Sequence, residues 1–165
     1  MKFLRATKNS LFFQLGKREK TLLLEILKLY PRIPSDYPRL SKQTKALDTE
    51  ASQRLLEEVL TEQRAENKKQ LRAFLEKPKR FEENESGSRL ALSSTDVEWL
   101  LQILNDIRVG SWVILGSPDP KGELRLLNEK TAPHFWAMDV AGHFQMELLE
   151  AMEGEREGRG MRGEG

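Results

Sequence analysis

The sequence predicts a mainly helical α+β fold: one domain of four helices with a small N-terminal β-hairpin, to which a third short strand can be added. Three observations predict it. The chain has 165 residues, 38% of them hydrophobic, which suits one domain of ordinary size. Residues 94–116 are apolar on almost every side of a helix, as in a helix covered by several partners. Two short β-prone runs lie near the N-terminus.

The first elements are a hairpin and a helix. The runs KFLRAT at 2–7 and LFFQL at 11–15 flank Asn9, a typical turn residue, and predict two paired strands. Because an isolated hairpin is marginally stable, it must pack on a helix or gain a third strand, for which residues 89–92 and 123–127 are candidates. Residues 17–30 have a helical pattern, which Pro31 ends.

The segment 31–47 is rich in proline and basic side chains and predicts an extended surface connection. It is a candidate interaction loop for an acidic partner, through four residues: Arg32, Tyr37, Arg39 and Lys42. The alternative is a rigid spacer that carries the chain across the domain. The charge pattern fits either, since residues 1–47 carry eleven Lys and Arg against three Asp and Glu.

The longest predicted helix begins at Asp48 and stops before Pro78, with an apolar stripe made of Leu55, Leu56, Val59, Leu60, Leu71 and Phe74. Gln63 and Asn67 fall inside that stripe. In the central helix, Arg108 likewise falls inside an apolar flank. Because buried polar side chains need hydrogen-bond partners, the sequence predicts one buried or half-buried polar network of four residues: Gln63, Asn67, Asn105 and Arg108.

The remaining elements follow from caps and turns. Residues 78–88 predict a polar loop. Ser93 or Ser94 is expected to cap the central helix, with Asp96 placed for a reciprocal capping box, and Gly116 to end it. Thr131 caps the last helix, which is expected to end near Met152. The domain therefore spans 1–152, and the charged, Gly-rich residues 153–165 are expected to be a disordered tail.

Composition narrows the function classes. The chain has no cysteine, which excludes thiolate catalysis and Cys-ligated zinc and suits a reducing cytoplasm. The N-terminal stretch lacks the apolar core of a signal peptide, and no run reaches the ~20 apolar residues of a membrane span. Phosphate-binding glycine loops and serine-nucleophile motifs are missing. We therefore expect a cytoplasmic protein with no catalytic residue, no cofactor and no membrane partner.

Two clusters have residue types that suit a ligand. Asp139, His143 and Glu147, each four residues apart, are a weak candidate for a metal site, but one helix seldom completes such a site and a solvated face is the simpler interpretation. Six basic residues around the end of the long helix suit phosphate contacts: Lys68, Lys69, Arg72, Lys77, Lys79 and Arg80. Glutamates interleaved with them weaken the positive field, so nucleic-acid binding is the third choice. Trp99, Trp112 and Trp136 are expected in the core, and an exposed tryptophan would indicate an interface.

The segment EWLLQILNDIRVGSWVILG resembles the hallmark of a bacterial family known as domain of unknown function 2017, whose members have a hairpin, a leucine-rich helix and a later Trp-Leu-x-x-Leu-Asn-Asp-[Leu/Ile]-Arg helix. The matching residues are Trp99, Leu100, Leu104, Asn105, Asp106, Ile107, Arg108, Leu115 and Gly116. The general layout covers residues 2 to 152, and this motif alone is specific. Gly110, Ser111 and Trp112 depart from the pattern.

The resemblance implies no established activity. In actinobacteria such genes often lie beside that of ClpS, an adaptor of the Clp protease, so it implies an adaptor or regulator more than an enzyme. The preferred hypothesis is a non-enzymatic protein-interaction module with an unidentified protein partner. The alternative is an enzyme or small-ligand binder with a polar site around Asn105, Asp106 and Arg108.

Overall fold

The computed structural model describes residues 1–32, 48–119 and 127–160, and only the backbone of residues 48–50, 53, 56 and 155–160. Within these ranges the elements are β1 (Lys2–Ala6), β2 (Leu11–Leu15), α1 (Lys17–Leu27), α2 (Asp48–Glu76), β3 (Phe81–Asn84), β4 (Gly87–Leu92), α3 (Ser94–Ile114) and α4 (Ala132–Gly160). The predicted hairpin, the four helices and the strand at 89–92 are confirmed. Residues 123–126, the other candidate for a strand, lie outside the described part of the chain.

The strands form one antiparallel sheet in the order β1-β2-β4-β3. The prediction of a mainly α protein with a small hairpin was therefore wrong in emphasis, because the fold is a mixed α+β fold with a four-stranded sheet. The strand that the sequence did not reveal is β3, which lies where a polar loop was predicted. Its partner is β4, and Phe81 pairs with Leu90 while Glu82 pairs with Arg89.

The sheet has one apolar and one polar face. In β2 the side chains of Leu11, Phe13 and Leu15 are buried, and those between them are half-buried, which is the alternation expected of a strand covered on one side. On the other face the guanidinium carbons of Arg5 and Arg89 lie 5.0 and 5.7 Å from the Phe12 ring centroid. The helices must therefore cover the face that carries Phe13.

Three helices, α1, α3 and α4, make that cover, and α3 with α4 forms the largest helix contact. Leu101 of α3 accepts a hydrogen bond from Gln145 of α4 at 3.3 Å, while Arg108 lies beside Gly142. The two helices are therefore antiparallel. Their shared interior includes Ile103, Leu104, Ile107, Ala141, Phe144 and Leu148, each at most 1% exposed.

The ends of α3 follow the predicted caps. The Ser93 hydroxyl accepts from the Asp96 amide at 3.1 Å, and the Asp96 carboxylate accepts from the Ser93 amide at 2.9 Å. Gly116 follows α3 with a φ of 85°, a conformation that glycine adopts readily. The end of α4 differs from the prediction, because its helical backbone continues to Gly160 instead of ending near Met152. Glu155, Arg156 and Glu157 are ordinary helix formers, which favours that extension.

Helix α2 is attached to the core near its C-terminal end. Among its described side chains only Leu71 and Phe74 are buried, whereas Leu55 is 63% and Val59 is 53% exposed. The predicted apolar stripe is therefore not one continuous buried face. Leu60, which is half-buried, lies between the two parts.

Candidate functional site

The predicted four-residue polar network is divided in the structure. Gln63 and Asn67 are together, since the Gln63 amide donates to Asn67 Oδ1 at 2.9 Å, and Asn67 also hydrogen-bonds the Tyr30 side chain. Asn105 and Arg108, in contrast, have exposed side chains on α3. A buried layer that joins all four is therefore not what the described residues show. Asn67 is hydrogen-bonded to the buried Tyr30 rather than to a residue of α3.

Asp106 lies at a junction that sequence reasoning missed. Its carboxylate accepts a hydrogen bond from the backbone amide of Arg32 at 2.8 Å, and the Arg32 guanidinium contacts Nδ1 of His134 in the first turn of α4. Asp106 of α3 thus binds the backbone that follows α1, and the side chain of Arg32 connects the same segment to α4. The Nε atom of Arg32 is buried and has no hydrogen-bond partner among the residues that the structure describes. Tyr37, Arg39 and Lys42 of the predicted interaction loop lie outside the described residues.

Burial shifts the pKa values of the side chains at this junction. Burial lowers the pKa of Arg32, and burial together with the nearby Arg32 charge lowers the pKa of His134 below its usual 6.5. His134 is therefore neutral at pH 7, so its Nδ1 can accept from the guanidinium. Burial also raises the pKa of Tyr30, as does the charge of Asp106, against the opposing hydrogen bond from Asn67.

Arg108 lies in a groove between α3 and α4. One cleft of about 500 Å³ is lined by Arg108, Val109, Trp112, Met138, Asp139 and Gly142. A second cleft of about 470 Å³ is lined by Arg108, Gly142, Gln145, Met146, Leu149, Glu150 and Glu153. Because the two clefts share Arg108 and Gly142, we treat them as one surface, the Arg108 groove.

The floor of this groove is shaped by a glycine. A Cβ at Gly142 would lie 3.9 Å from Cδ of Arg108, so the arginine stem lies across α4 at the residue that has no side chain. No hydrogen-bond or ion-pair partner of the Arg108 guanidinium is found in the described part of the chain. Beside it, Met146 is 55% and Leu149 is 48% exposed. The groove therefore offers one free cation among uncovered apolar side chains.

Arg80, in contrast, does not belong to a basic surface. It is 4% exposed, donates to Asp96 at 2.8 Å and lies 4.2 Å above the Phe74 ring centroid. Burial alone would raise the pKa of Asp96, but the hydrogen bonds from Arg80 and Ser93 hold that pKa below its usual value. Arg80 therefore connects α3 to β4 and is not available to the basic surface predicted around the end of α2.

The remaining predicted residues are distributed along α4 and α3. Asp139 and His143 are exposed, and no group of three His, Cys, Asp or Glu side chains able to hold a metal ion is found among the described residues. Trp99 is half-buried against Phe74, with ring centroids 5.4 Å apart. Trp112 lines the Arg108 groove, where its Nε1 donates to the Pro118 carbonyl at 3.0 Å. Trp136 is 41% exposed, so its prediction as a core residue was wrong.

In the described ranges no helix has the length and apolar content needed to cross a membrane.

Comparison with known proteins adds no relative. A scan against protein-family models, a search of curated proteins and a search of solved structures each found no match to this chain. The resemblance to domain of unknown function 2017 therefore rests on the α3 motif alone.

Proposed function

We propose that the protein is a non-enzymatic protein-interaction module that binds a protein partner in the Arg108 groove. The observation that carries this proposal is the guanidinium of Arg108, without an ion-pair partner among the described residues, in a cleft that it shares with the exposed side chains of Met146 and Leu149. Exposed apolar side chains that adjoin one another mark interaction sites more often than isolated ones do. The groove is therefore our first choice for the binding site. The loop residues Arg32, Tyr37, Arg39 and Lys42 are the second choice.

The composition of the groove supports a protein partner. Arginine, methionine and aromatic residues are enriched at protein interfaces, and arginine and tryptophan are frequent among the residues that dominate binding energy. The groove contains Arg108, Trp112, Met138 and Met146. A partner with an apolar face and one carboxylate would cover the methionines and pair with Arg108. Asp139, Glu150 and Glu153 at the rim would favour basic residues beside that face.

The resemblance of the α3 motif supports an adaptor or regulator within this class. A link to Clp-type proteolysis in the cytoplasm is part of the proposal, and it depends on the position of related genes rather than on any contact described above.

Replacement of Leu149 by Lys tests the proposal. A lysine there would place a charge on the apolar part of the groove, so we expect at least about tenfold weaker binding of the partner. The partner would be captured with the wild-type protein, identified by mass spectrometry, purified, and its Kd measured by calorimetry. The matched control is Leu4→Lys, since Leu4 is 46% exposed and lies on β1 away from the groove. Equal affinities of wild type and Leu149→Lys would contradict the proposal.

A second candidate function is small-ligand binding, and the volume of the groove favours it. Clefts of about 300–1,000 Å³ are typical of small-molecule sites, and the cleft beside Trp112 has about 500 Å³. Arg108 would bind a carboxylate or phosphate of the ligand. Thermal stabilisation by a panel of anionic metabolites, lost in Arg108→Gln, would support this candidate. Asn105 and Asp106 do not line either described cleft, and the Asp106 carboxylate accepts from the Arg32 amide.

A further inference from the structure

Helix α2 divides into an acidic and a basic half. Residues 48–62 contain five Asp and Glu and one Arg, whereas residues 63–76 contain four Lys and Arg and two Glu. The helix is 29 residues long, or about 43 Å at 1.5 Å per residue. The centres of the two halves, about 15 residues apart, are therefore about 22 Å apart, which exceeds the ~10 Å Debye length at 0.1 M salt. The charges of the two halves neutralise each other only where the halves meet.

The helix dipole does not account for this division. The dipole acts within the first and last turns, but the last turn of α2 carries no basic residue and ends in Glu76. Asp48 and Glu50 are in the first turn, but apart from them and Glu76 all the charged residues of α2 lie in the interior of the helix. Glu58 and Glu62 are four residues apart, as are Lys68 and Arg72, and all four side chains are exposed. Like charges at this spacing destabilise an isolated helix, so a partner of opposite charge would stabilise α2.

The same side of α2 carries its uncovered apolar residues. At 100° per residue, one arc of about 140° carries two large exposed apolar side chains, Leu55 and Val59, and seven exposed charged ones: Arg54, Glu58, Glu62, Glu66, Lys69, Arg72 and Glu76. Within the arc, Lys69 lies 4.0 Å from Glu66, an exposed ion pair of the kind that contributes at most about 1 kcal/mol. This arc is separate from the side on which Leu71 and Phe74 enter the core. Ala65 lies in the arc midway between Glu58 and Arg72, and its small side chain permits a close approach of another helix.

We propose that this arc of α2 binds the α2 of a second copy of the chain in antiparallel orientation. A two-fold interface must be complementary to itself. Antiparallel pairing about Ala65 meets that condition, because Glu58 and Glu62 of one copy then face Arg72 and Lys69 of the other. A parallel pair would place like charges opposite each other. The proposal does not depend on the Arg108 groove.

Sedimentation velocity and light scattering test this interface. The wild-type chain of 19.1 kDa should show a doubled mass as its concentration rises, and added salt should raise the dissociation constant. Wild-type protein that stays monomeric up to its solubility limit would overturn the proposal.

Two charge-reversed variants make the test specific. The variant Glu58→Lys with Glu62→Lys, and the variant Lys69→Glu with Arg72→Glu, should each dimerise at least about tenfold more weakly than wild type. Mixed together, they should form a heterodimer, because the charges are complementary again between the two chains. Absence of a complex in the mixture would contradict antiparallel pairing through this arc, provided that circular dichroism shows both variants folded with wild-type helical content.

Two further variants separate this contact from general effects of charge and surface apolarity. Leu55→Lys should weaken the dimer, whereas Leu127→Lys should not, although Leu127 is similarly exposed at 55%. Lys8→Glu with Lys130→Glu changes the net charge by the same amount as the basic-to-acidic variant, at exposed positions outside α2. Loss of the dimer in these controls would show that the association depends on net charge or stickiness, and would overturn the proposed interface.

Discussion

Arg80 shows how one buried cation connects separate parts of the chain. Its guanidinium donates to the Asp96 carboxylate, to the Ala91 carbonyl on β4 and to the Phe74 carbonyl on α2. Asp96 also forms the capping box of α3 with Ser93. Because a buried charge needs several hydrogen bonds to offset its loss of hydration, this arginine fixes the relative positions of α2, β4 and α3.

Replacement of Arg80 by Ala should therefore be strongly destabilising. We expect the free energy of unfolding to fall by about 3 kcal/mol, since the variant loses the ion pair and leaves Asp96 without its cation. Urea denaturation followed by circular dichroism would measure the change. The control is Arg89→Ala, because the Arg89 and Glu82 side chains of that ion pair are 41% and 39% exposed, and such pairs contribute at most about 1 kcal/mol. Equal losses in the two variants would contradict the role given to Arg80.

Asp96 also makes stability depend on pH. Its pKa is lowered in the folded protein, because the hydrogen bonds from Arg80 and Ser93 outweigh the effect of burial. The folded state therefore binds fewer protons than the unfolded state, and this contribution is present above the ordinary Asp pKa of 3.8. It is lost as the pH falls through the folded pKa.

We expect Asp96→Asn to reduce the acid-induced loss of stability, which urea denaturation between pH 6 and about pH 3 would show. The variant would be less stable than wild type at pH 6. The difference should become smaller on acidification, and a constant difference across this range would contradict the assignment.

Gly87 is a position at which a Cβ atom would collide with the backbone of the neighbouring strand β2. Its φ is 132°, and an added Cβ would lie 2.1 Å from the Leu15 carbonyl oxygen. Gly87→Ala should therefore cost about 3 kcal/mol in the free energy of unfolding, from backbone strain and from displacement of β2. Gly116→Ala is the control, since φ is 85° there but nothing lies within 4 Å of the added atom. A loss at Gly87 no larger than that at Gly116 would show that β2 can move at little cost.

At the scale of the elements, local signals identified the helices and three of the four strands. The caps at Ser93 and Asp96, the proline after α2 and the alternation in β2 act over a few residues, so the sequence displays them. Strand β3 has the sequence FEEN, with low β propensity. Lys20 of α1 and Ser88 of β4 contact Glu83, and Arg89 contacts Glu82. These partners are distant in the sequence or depend on the pairing itself, so no local pattern could predict the strand.

The error over Arg108 has a related cause. Its angular position on α3 is among apolar residues, which led to the prediction of a buried side chain. Leu100 and Leu104 on this flank are buried, but Arg108 lies at the edge of the α3–α4 contact, where Gly142 leaves room for its stem and the side chain is exposed. An angular count identifies which residues share a face, but it does not show where along the helix the covering element stops. The contacts of Arg32 with Asp106 and His134 were not predicted, because they join residues far apart in the sequence.

The attachment of α2 near one end predicts uneven opening of that helix. Leu71 and Phe74 hold its C-terminal part in the core, whereas Leu55 and Val59 are exposed. Amide hydrogen exchange should therefore be slowest near residue 74 and become faster toward residue 51. Measurement by mass spectrometry in dilute solution, where self-association is minimal, would test this. Uniform protection along α2 would show that its N-terminal part is held by contacts as strong as those at Leu71.

At the scale of the whole molecule, the chain is a sheet with helices on one face. Strands β2 and β4 place Phe13, Leu15, Leu90 and Leu92 against α1 and α3, while β1 contacts α4, and each of these four side chains is 0% exposed. This layer supplies a rigid base for α3 and α4, so the Arg108 groove between them lies on elements held by the core rather than on loops. The surface formed by α2 is on a separate helix, and the two proposed contacts can be tested independently.

The placement of the three tryptophans gives the molecule three distinct optical environments. Indole emission depends on the polarity around the ring, and here one ring contacts Phe74, one lines the groove and one is on the surface. Fluorescence of a protein in which only Trp112 is kept would follow occupancy of the groove. Fluorescence of a protein in which only Trp99 is kept would follow loss of the core, so binding and unfolding can be distinguished without an added label.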